Sequence, residues 1–206
     1  RRTRASVAKE RGLEPLAAWM LSHPKKGNLA EEAARYVDAE KGVGSPEEAV
    51  QGACDIIAEM IADDPAVRSW TRRHTFTYGT LVCEAKDASV SSVYEMYYQY
   101  REPVKRMPPH RILAINRGER EDVLKVRLEV DPAPIYHYIG KKYVRDGSVV
   151  RDALAATVED AYKRLIAPAV EREVRGELTD KAEEQAVVIF AENLRSLLLQ
   201  PPVRGK

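Results

Sequence analysis

The residues in this chain whose types and spacing best suit chemistry are cations. His110 and Arg111, with Arg117 two helical turns further on, come first. If Pro109 is the first residue of a helix, His110 and Arg111 stand in its opening turn. Free backbone amides and a guanidinium fork there would suit a phosphate. The same side chains could instead tie that helix to a carboxylate or a carbonyl of a neighbouring segment. Arg72-Arg73-His74, Lys105-Arg106, Arg1-Arg2-Thr3-Arg4 and Lys141-Lys142 are further basic clusters. Phosphate contacts need only cationic donors on one face, and Trp70 and Tyr100 lie close enough to two clusters for base stacking. The candidate nucleic-acid-binding residues are therefore Arg72, Arg73, Lys105, Arg106, His110, Arg111 and Arg117. The bland alternative is a set of solvated faces. The net charge is only +1, so no global field draws in a polyanion, and Glu31-Glu32 and Glu119 to Asp122 lie close by.

Catalysis finds little support. His23, His74, His110 and His137 are scattered without HxxxH or HExxH spacing, and no Cys/His metal pattern occurs. GxGxxG, GxxxxGK[ST] and GxSxG are missing. With 32 acidic residues, Asp/Glu pairs arise on solvent faces by chance. We expect no enzyme activity, no cofactor and no metal. Tyr94, Tyr97 and Tyr98 follow the i, i+3, i+4 spacing of a buried helix face, so core packing is the better reading than a stacking platform, and Tyr136-His137-Tyr138 reads the same way.

Cys54 and Cys83 are far apart and fit a reducing compartment. No apolar run approaches a membrane span of about 18 residues, which points to a soluble, cytoplasmic protein. Apolar residues at 44% allow a core, and charged residues at 32% a well-solvated surface.

The elements that must position these residues are mostly helices. Leu13 to Leu21 is helical in spacing and stops at His23-Pro24, because the residue before proline is pushed out of the α region. A short helix follows over Ala30 to Val37. Ser45-Pro46-Glu47-Glu48 is a capping box, and Ala49, Val50, Ala53, Ile57, Met60 and Ile61 form the stripe behind it. Asp64-Pro65 starts another helix, carrying Val67, Trp70 and His74. Leu81 to Cys83 reads as a strand, and Ser91 or Ser92 caps a helix holding the tyrosines. A helix from Pro109 to Arg117 should close at Gly118. Val123 to Val130 alternates apolar and charged residues, the pattern of a strand with one wet face. Pro134 begins a helix with Ile135, Tyr138 and Ile139. Ser148 caps a longer one through Val150, Leu154, Val158, Ala161 and Leu165, which Pro168 kinks or splits. Thr179 or Asp180 starts the last helix, whose apolar side carries Ala182, Ala186, Ile189, Phe190, Leu194, Leu197 and Leu198, and Pro201-Pro202 ends it.

Four segments resemble the bacterial Tex family, relatives of a eukaryotic transcription-elongation and histone-chaperone factor. They are Arg1-Arg2-Thr3-Arg4, Ala34-Arg35-Tyr36-Val37-Asp38-Ala39-Glu40-Lys41-Gly42-Val43, Pro109-His110-Arg111-Ile112-Leu113-Ala114-Ile115-Asn116-Arg117-Gly118 and Glu192-Asn193-Leu194-Arg195-Ser196-Leu197-Leu198-Leu199. The resemblance implies the N-terminal region of a longer protein. Such a protein starts earlier with a further helical segment, and continues into a resolvase-like domain, helix-hairpin-helix motifs and an OB-fold RNA-binding domain. The family places most nucleic-acid binding in that last domain. The closing Pro201 to Lys206 falls about where the resolvase-like domain begins, and a terminal Lys is what trypsin-like cleavage leaves, so we expect a trimmed or proteolysed piece.

The expected fold is mainly α: an irregular multi-helix assembly with a small two-stranded β element. Residues 1–206 form one helical region, with the β element inside 80–130 and long helices over 148–199 leading to a further domain. The expected function is a non-catalytic scaffold of a transcription accessory protein, with direct RNA or DNA binding through the basic clusters as the alternative. Its partners would be RNA or DNA through the longer protein, the downstream domains and the transcription machinery.

Overall fold

A computed structural model describes residues 2–200; Arg1 and the Pro201-Pro202 helix stop lie outside them. The fold is mainly α, as the periodicity predicts. The chain divides into two compact units, Arg1–Arg73 with Asp131–Val170, and His74–Val130 with Glu171–Lys206.

In the first unit, α1 (Arg4–Glu10) is capped by Thr3. The Thr3 hydroxyl accepts from the Ser6 amide at 3.0 Å while Ser6 Oγ accepts from the Thr3 amide at 2.8 Å. α2 (Glu14–Leu21) ends before His23, whose φ of +54° precedes Pro24. α3 (Leu29–Ala34) starts at Asn28, which caps Ala30. α4 (Pro46–Asp63) is the central helix of this unit. Ser45 caps it, but the Glu48 carboxylate reaches one residue past the expected partner, to the Gly44 amide at 2.8 Å. Its buried stripe is Ala49, Ala53, Ile56, Ile57, Ile61 and Ala62, whereas Met60 is half exposed. α5 (Pro65–Tyr78) begins where the Asp64 side chain accepts from the Ala66 amide.

α7 (Ala133–Tyr143) and α8 (Arg151–Asp160) complete the unit. Ser148 stands two residues before the α8 cap, accepting from the Val150 amide and donating to the Pro24 carbonyl at 3.0 Å. A π-helical turn, Ala161–Ile166, then leads into α9 (Ala167–Leu198). Pro168 cannot donate to a preceding carbonyl, and the widened turn absorbs the loss. That turn adds one residue to the apolar register, so Ile166 is buried where straight helical spacing predicts Leu165.

The second unit corrects the sequence reading. The sheet has three strands, not two: β1 (Thr80–Ala85) lies between β2 (Gln99–Pro103) and β3 (Leu124–Glu129), antiparallel to both. β2 falls where a tyrosine helix is predicted, and only Glu95–Tyr97 turns helically there, as a single 3₁₀ turn. Tyr94 and Tyr97 are nonetheless core residues. An edge strand reading Gln-Tyr-Arg-Glu-Pro lacks apolar alternation because charges and proline blunt exposed edges.

α6 (Pro109–Arg120) runs past Gly118, which is buried inside it. A Cβ at Gly118 would meet Leu124 Cδ1 at 2.5 Å, so the glycine serves close packing, not the helix end. The end is a Schellman turn: Asp122 takes φ +64°, its amide donates to the Glu119 carbonyl, and the Val123 amide donates to the Gly118 carbonyl at 2.9 Å.

Thr179 does not start a helix; it lies inside α9, which is continuous for 32 residues. The hydroxyl turns back to donate to the Arg175 carbonyl at 2.9 Å, satisfying itself without breaking the helix. Val174, Leu178 and Ala182 are buried. Beyond Ala182 every described residue of α9 is exposed, including Phe190 at 68%, Leu197 at 64% and Leu198 at 77%. No helix among the described residues is long and apolar enough to cross a membrane.

Candidate nucleic-acid interface

The candidate residues are divided between the units. Arg72 and Arg73 belong to the first; Lys105, Arg106, His110, Arg111 and Arg117 belong to the second.

In the second unit, Lys105 and Arg106 sit on a short 3₁₀ turn, Val104–Arg106, that leads into α6. Both are exposed, as are His110 and Arg117. His110 and Arg117 are seven residues apart, so they share one helix face about 10 Å apart along the axis. Arg111 points elsewhere. Its Nη1 donates to Tyr100 Oη at 3.0 Å and its guanidinium carbon stands 5.4 Å from the centre of the same ring. Tyr100 in turn meets Tyr97 edge-on at 5.5 Å. Arg111 thus ties α6 to β2, through a phenol where the bland reading expected a carboxylate or carbonyl. The Tyr100 ring is engaged by Arg111 and Tyr97.

The outer face of the sheet carries charge of both signs. Arg127 bridges Glu84 at 2.7 Å and Glu129 at 2.8 Å, and Glu129 also accepts from Arg101 at 2.5 Å. The hydrogen bond from Arg127 holds Glu84 below the usual carboxylate range, and those from Arg101 and Arg127 do the same for Glu129. With its guanidinium engaged by carboxylates on both sides, Arg127 makes a poor phosphate donor.

In the first unit, Arg2 and Arg4 line a cleft of about 490 Å³ between α1 and α4, together with Arg11, Glu48 and Asp55. Both carboxylates have partners: Glu48 holds the Gly44 amide, and Asp55 accepts from Gln51 and faces Arg164 at 3.6 Å.

α5 and α7 meet at two points. Trp70 lies flat on Tyr138, with ring centres 4.3 Å apart and planes 5° from parallel. The Asp64 carboxylate accepts from Lys142 Nζ and, at 2.7 Å, from Tyr143 Oη. Burial raises the Asp64 pKa, but the hydrogen bonds from Lys142, Tyr143 and the Ala66 amide outweigh it and hold the carboxyl below its ordinary range. Burial and the same bond push the Tyr143 phenol up. Trp70 and Lys141-Lys142 stand out in the sequence, but nothing in their spacing joins them, and Tyr138 reads as core. A usable pattern was present: neither Pro65–Tyr78 nor Ala133–Tyr143 contains an Asp or Glu.

Neither cysteine is set up as a nucleophile, because burial pushes the Cys83 thiol up to about 11 and raises Cys54 as well. Among the described residues no group of three or more His, Cys, Asp or Glu side chains could hold a metal ion.

Comparison with known proteins gives this geometry a family. A sequence model described as Tex central region-like matches residues 25–190. The uncharacterized protein YdcI of Bacillus subtilis is 51% identical, over 100% of this chain and 29% of its own length. Transcriptional accessory protein Tex of Neisseria gonorrhoeae is 31% identical over 98% of this chain and 27% of its own. The human S1 RNA-binding domain-containing protein 1 is 30% identical over 99% of this chain and 22% of its own. The chain spans less than a third of the length of these relatives. It belongs to the Tex family.

Proposed function

We propose that this chain is a non-catalytic helical frame within a transcription accessory, nucleic-acid-associated protein of the cytoplasm. The observation that carries this reading is the division of α9 into two halves. Its first half is locked into the second unit by Val174, Leu178 and Ala182, by Arg175 on Glu119, and by Thr179 on Asn116. Its second half exposes Val187, Phe190, Leu194, Leu197 and Leu198. These five fall within about a third of the helix circumference, the width of an apolar stripe made for burial. Burying each fully is worth about 1.5–3 kcal/mol. The stripe docks onto other parts of the longer polypeptide, so α9 fixes their position against the second unit. RNA or DNA is engaged through that longer protein, and the transcription machinery is its setting. The relatives from Neisseria gonorrhoeae and human are named for transcription and for RNA binding respectively, which supports this setting.

The test is an apolar-dye titration of the chain and of Phe190→Asp/Leu194→Asp/Leu197→Asp. The frame reading expects strong dye binding that the triple variant abolishes with an unchanged unfolding midpoint. A midpoint drop of many degrees would mean that the stripe belongs to the fold of the chain itself.

A second reading, direct binding of RNA or DNA, is favoured by the exposure of Arg72, Lys105, Arg106, His110 and Arg117. It expects micromolar, salt-sensitive binding that weakens when these cations are neutralised. One titration with labelled single-stranded RNA and duplex DNA at two salt concentrations decides it.

A further inference from the structure

We infer that the outward face of α6, with the Val104–Arg106 turn leading into it, grips the phosphate backbone of a nucleic-acid duplex without reading its bases. The inference rests on the direct-binding reading and names its surface, its strand and its mode of contact.

The first observation is local charge. Between Val104 and Asp122 five Arg and Lys residues stand against three acids, in a chain whose net charge is +1. Arg111 is turned inward to Tyr100, with Glu102 beside it. Two of the acids are engaged as well: Glu119 accepts from Arg175 at 3.0 Å, and Asp122 pairs with Lys86. Glu121, which accepts from the Tyr94 phenol, is left to oppose four cations. Those four, Lys105, Arg106, Arg117 and Arg120, are exposed. Among the described residues none of their side chains has an ion-pair or hydrogen-bond partner. The local field is therefore positive, which attracts a polyanion where the global charge does not.

The second observation is their placement. α6 buries Ile112, Ile115 and Gly118 on one side. His110, Arg117 and Arg120 project from the other, within about 80° of one another around the axis and about 15 Å along it. Lys105 and Arg106 point outward just before the helix, because Val104 and Met107 on either side of them take the core positions. His110 adds an N–H donor in either protonation state. Behind this row α6 is held by Arg111 on Tyr100 and Asn116 on Thr179, so the cations ride on a fixed rod.

The third observation selects the strand. α6 contains no Phe, Tyr or Trp, so a base has no ring to stack on there. A convex row of cations reads phosphates alone. A duplex carries about one charge per 1.7 Å of its axis, against about 3.4 Å for one strand. The face therefore favours duplexes, RNA or DNA, whatever their sequence.

The test titrates the whole chain with a labelled DNA duplex, an RNA duplex, their separate strands and poly-glutamate over a range of salt. Four phosphate contacts predict a slope of log K against log salt of about −3.6 for the DNA duplex, unchanged by scrambling its sequence. The separate strands should bind more weakly. Arg106→Gln/Arg117→Gln should bring the slope to about −1.8. Arg106→Lys/Arg117→Lys should leave it, and so should Arg72→Gln in the first unit. Unfolding midpoints of all variants report whether they fold. A slope that falls with Arg72→Gln and survives Arg106→Gln/Arg117→Gln overturns this surface while direct binding stands, as do strands bound more tightly than duplexes. Poly-glutamate bound as tightly as the duplex overturns the assignment to phosphates. No binding of any nucleic acid at low salt overturns both this inference and the direct-binding reading.

Discussion

Asn116 Nδ2 donates to Thr179 Oγ1 across 2.9 Å, joining residues 63 positions apart in the chain. Thr179 accepts while its own hydroxyl hydrogen goes to the Arg175 carbonyl, and Arg175 reaches back to Glu119 at 3.0 Å. Four polar side chains thus fix the register of α6 against α9 inside the second unit. Thr179→Val keeps the shape but leaves the Asn116 amide without this partner. We predict a loss of about 1 kcal/mol, read from urea unfolding. An unchanged midpoint would mean that apolar packing alone sets the register.

Gly118→Ala tests the closest approach in the same unit. Alanine gains about 1 kcal/mol over glycine in a helix interior. Against that, the new Cβ would stand 2.5 Å from Leu124 Cδ1, 2.8 Å from Leu124 Cγ and 3.2 Å from Tyr94 Cδ1. Leu124 is wholly buried, so the clash falls on packed atoms, and overpacking costs about 1–3 kcal/mol. The variant should be destabilised by about 1 kcal/mol in net, and stabilisation would contradict the packing.

Asp64 predicts an acid-side dependence in the first unit. Its folded pKa lies below its unfolded one, so its contribution is present at neutral pH. That contribution is lost as pH falls through the lowered folded value, below about pH 4. The stability gap between the chain and Asp64→Asn should be constant from pH 5 to 7 and shrink below pH 4. A gap that widens on acidification would reverse the sign.

Much of this was legible in the residues. Ser45-Pro46 and Asp64-Pro65 start helices because proline at the first position costs no amide bond, and β3 alternates because only one of its faces meets the core. Three features escaped, each for a physical reason. β2 is a charged edge strand with little apolar alternation. The Ala161–Ile166 π-turn shifts the buried register by one residue, which period 3.6 does not anticipate. Thr179 reads as a cap because threonine hydroxyls favour helix starts, yet the same hydroxyl is satisfied by a carbonyl one turn back. The candidate cations were visible, but their neighbours were not: spacing along the chain does not reveal that Arg111 turns to Tyr100, or that Trp70 lies on Tyr138.

The outer half of α9, exposed beyond Ala182, is where the proposed docking can be read most directly. Hydrogen exchange over 183–198, in the chain alone and in the longer protein, measures this directly. We predict fast exchange over these residues in the chain alone and strong protection in the longer protein. Equally fast exchange in both would contradict a frame that holds other domains through this helix.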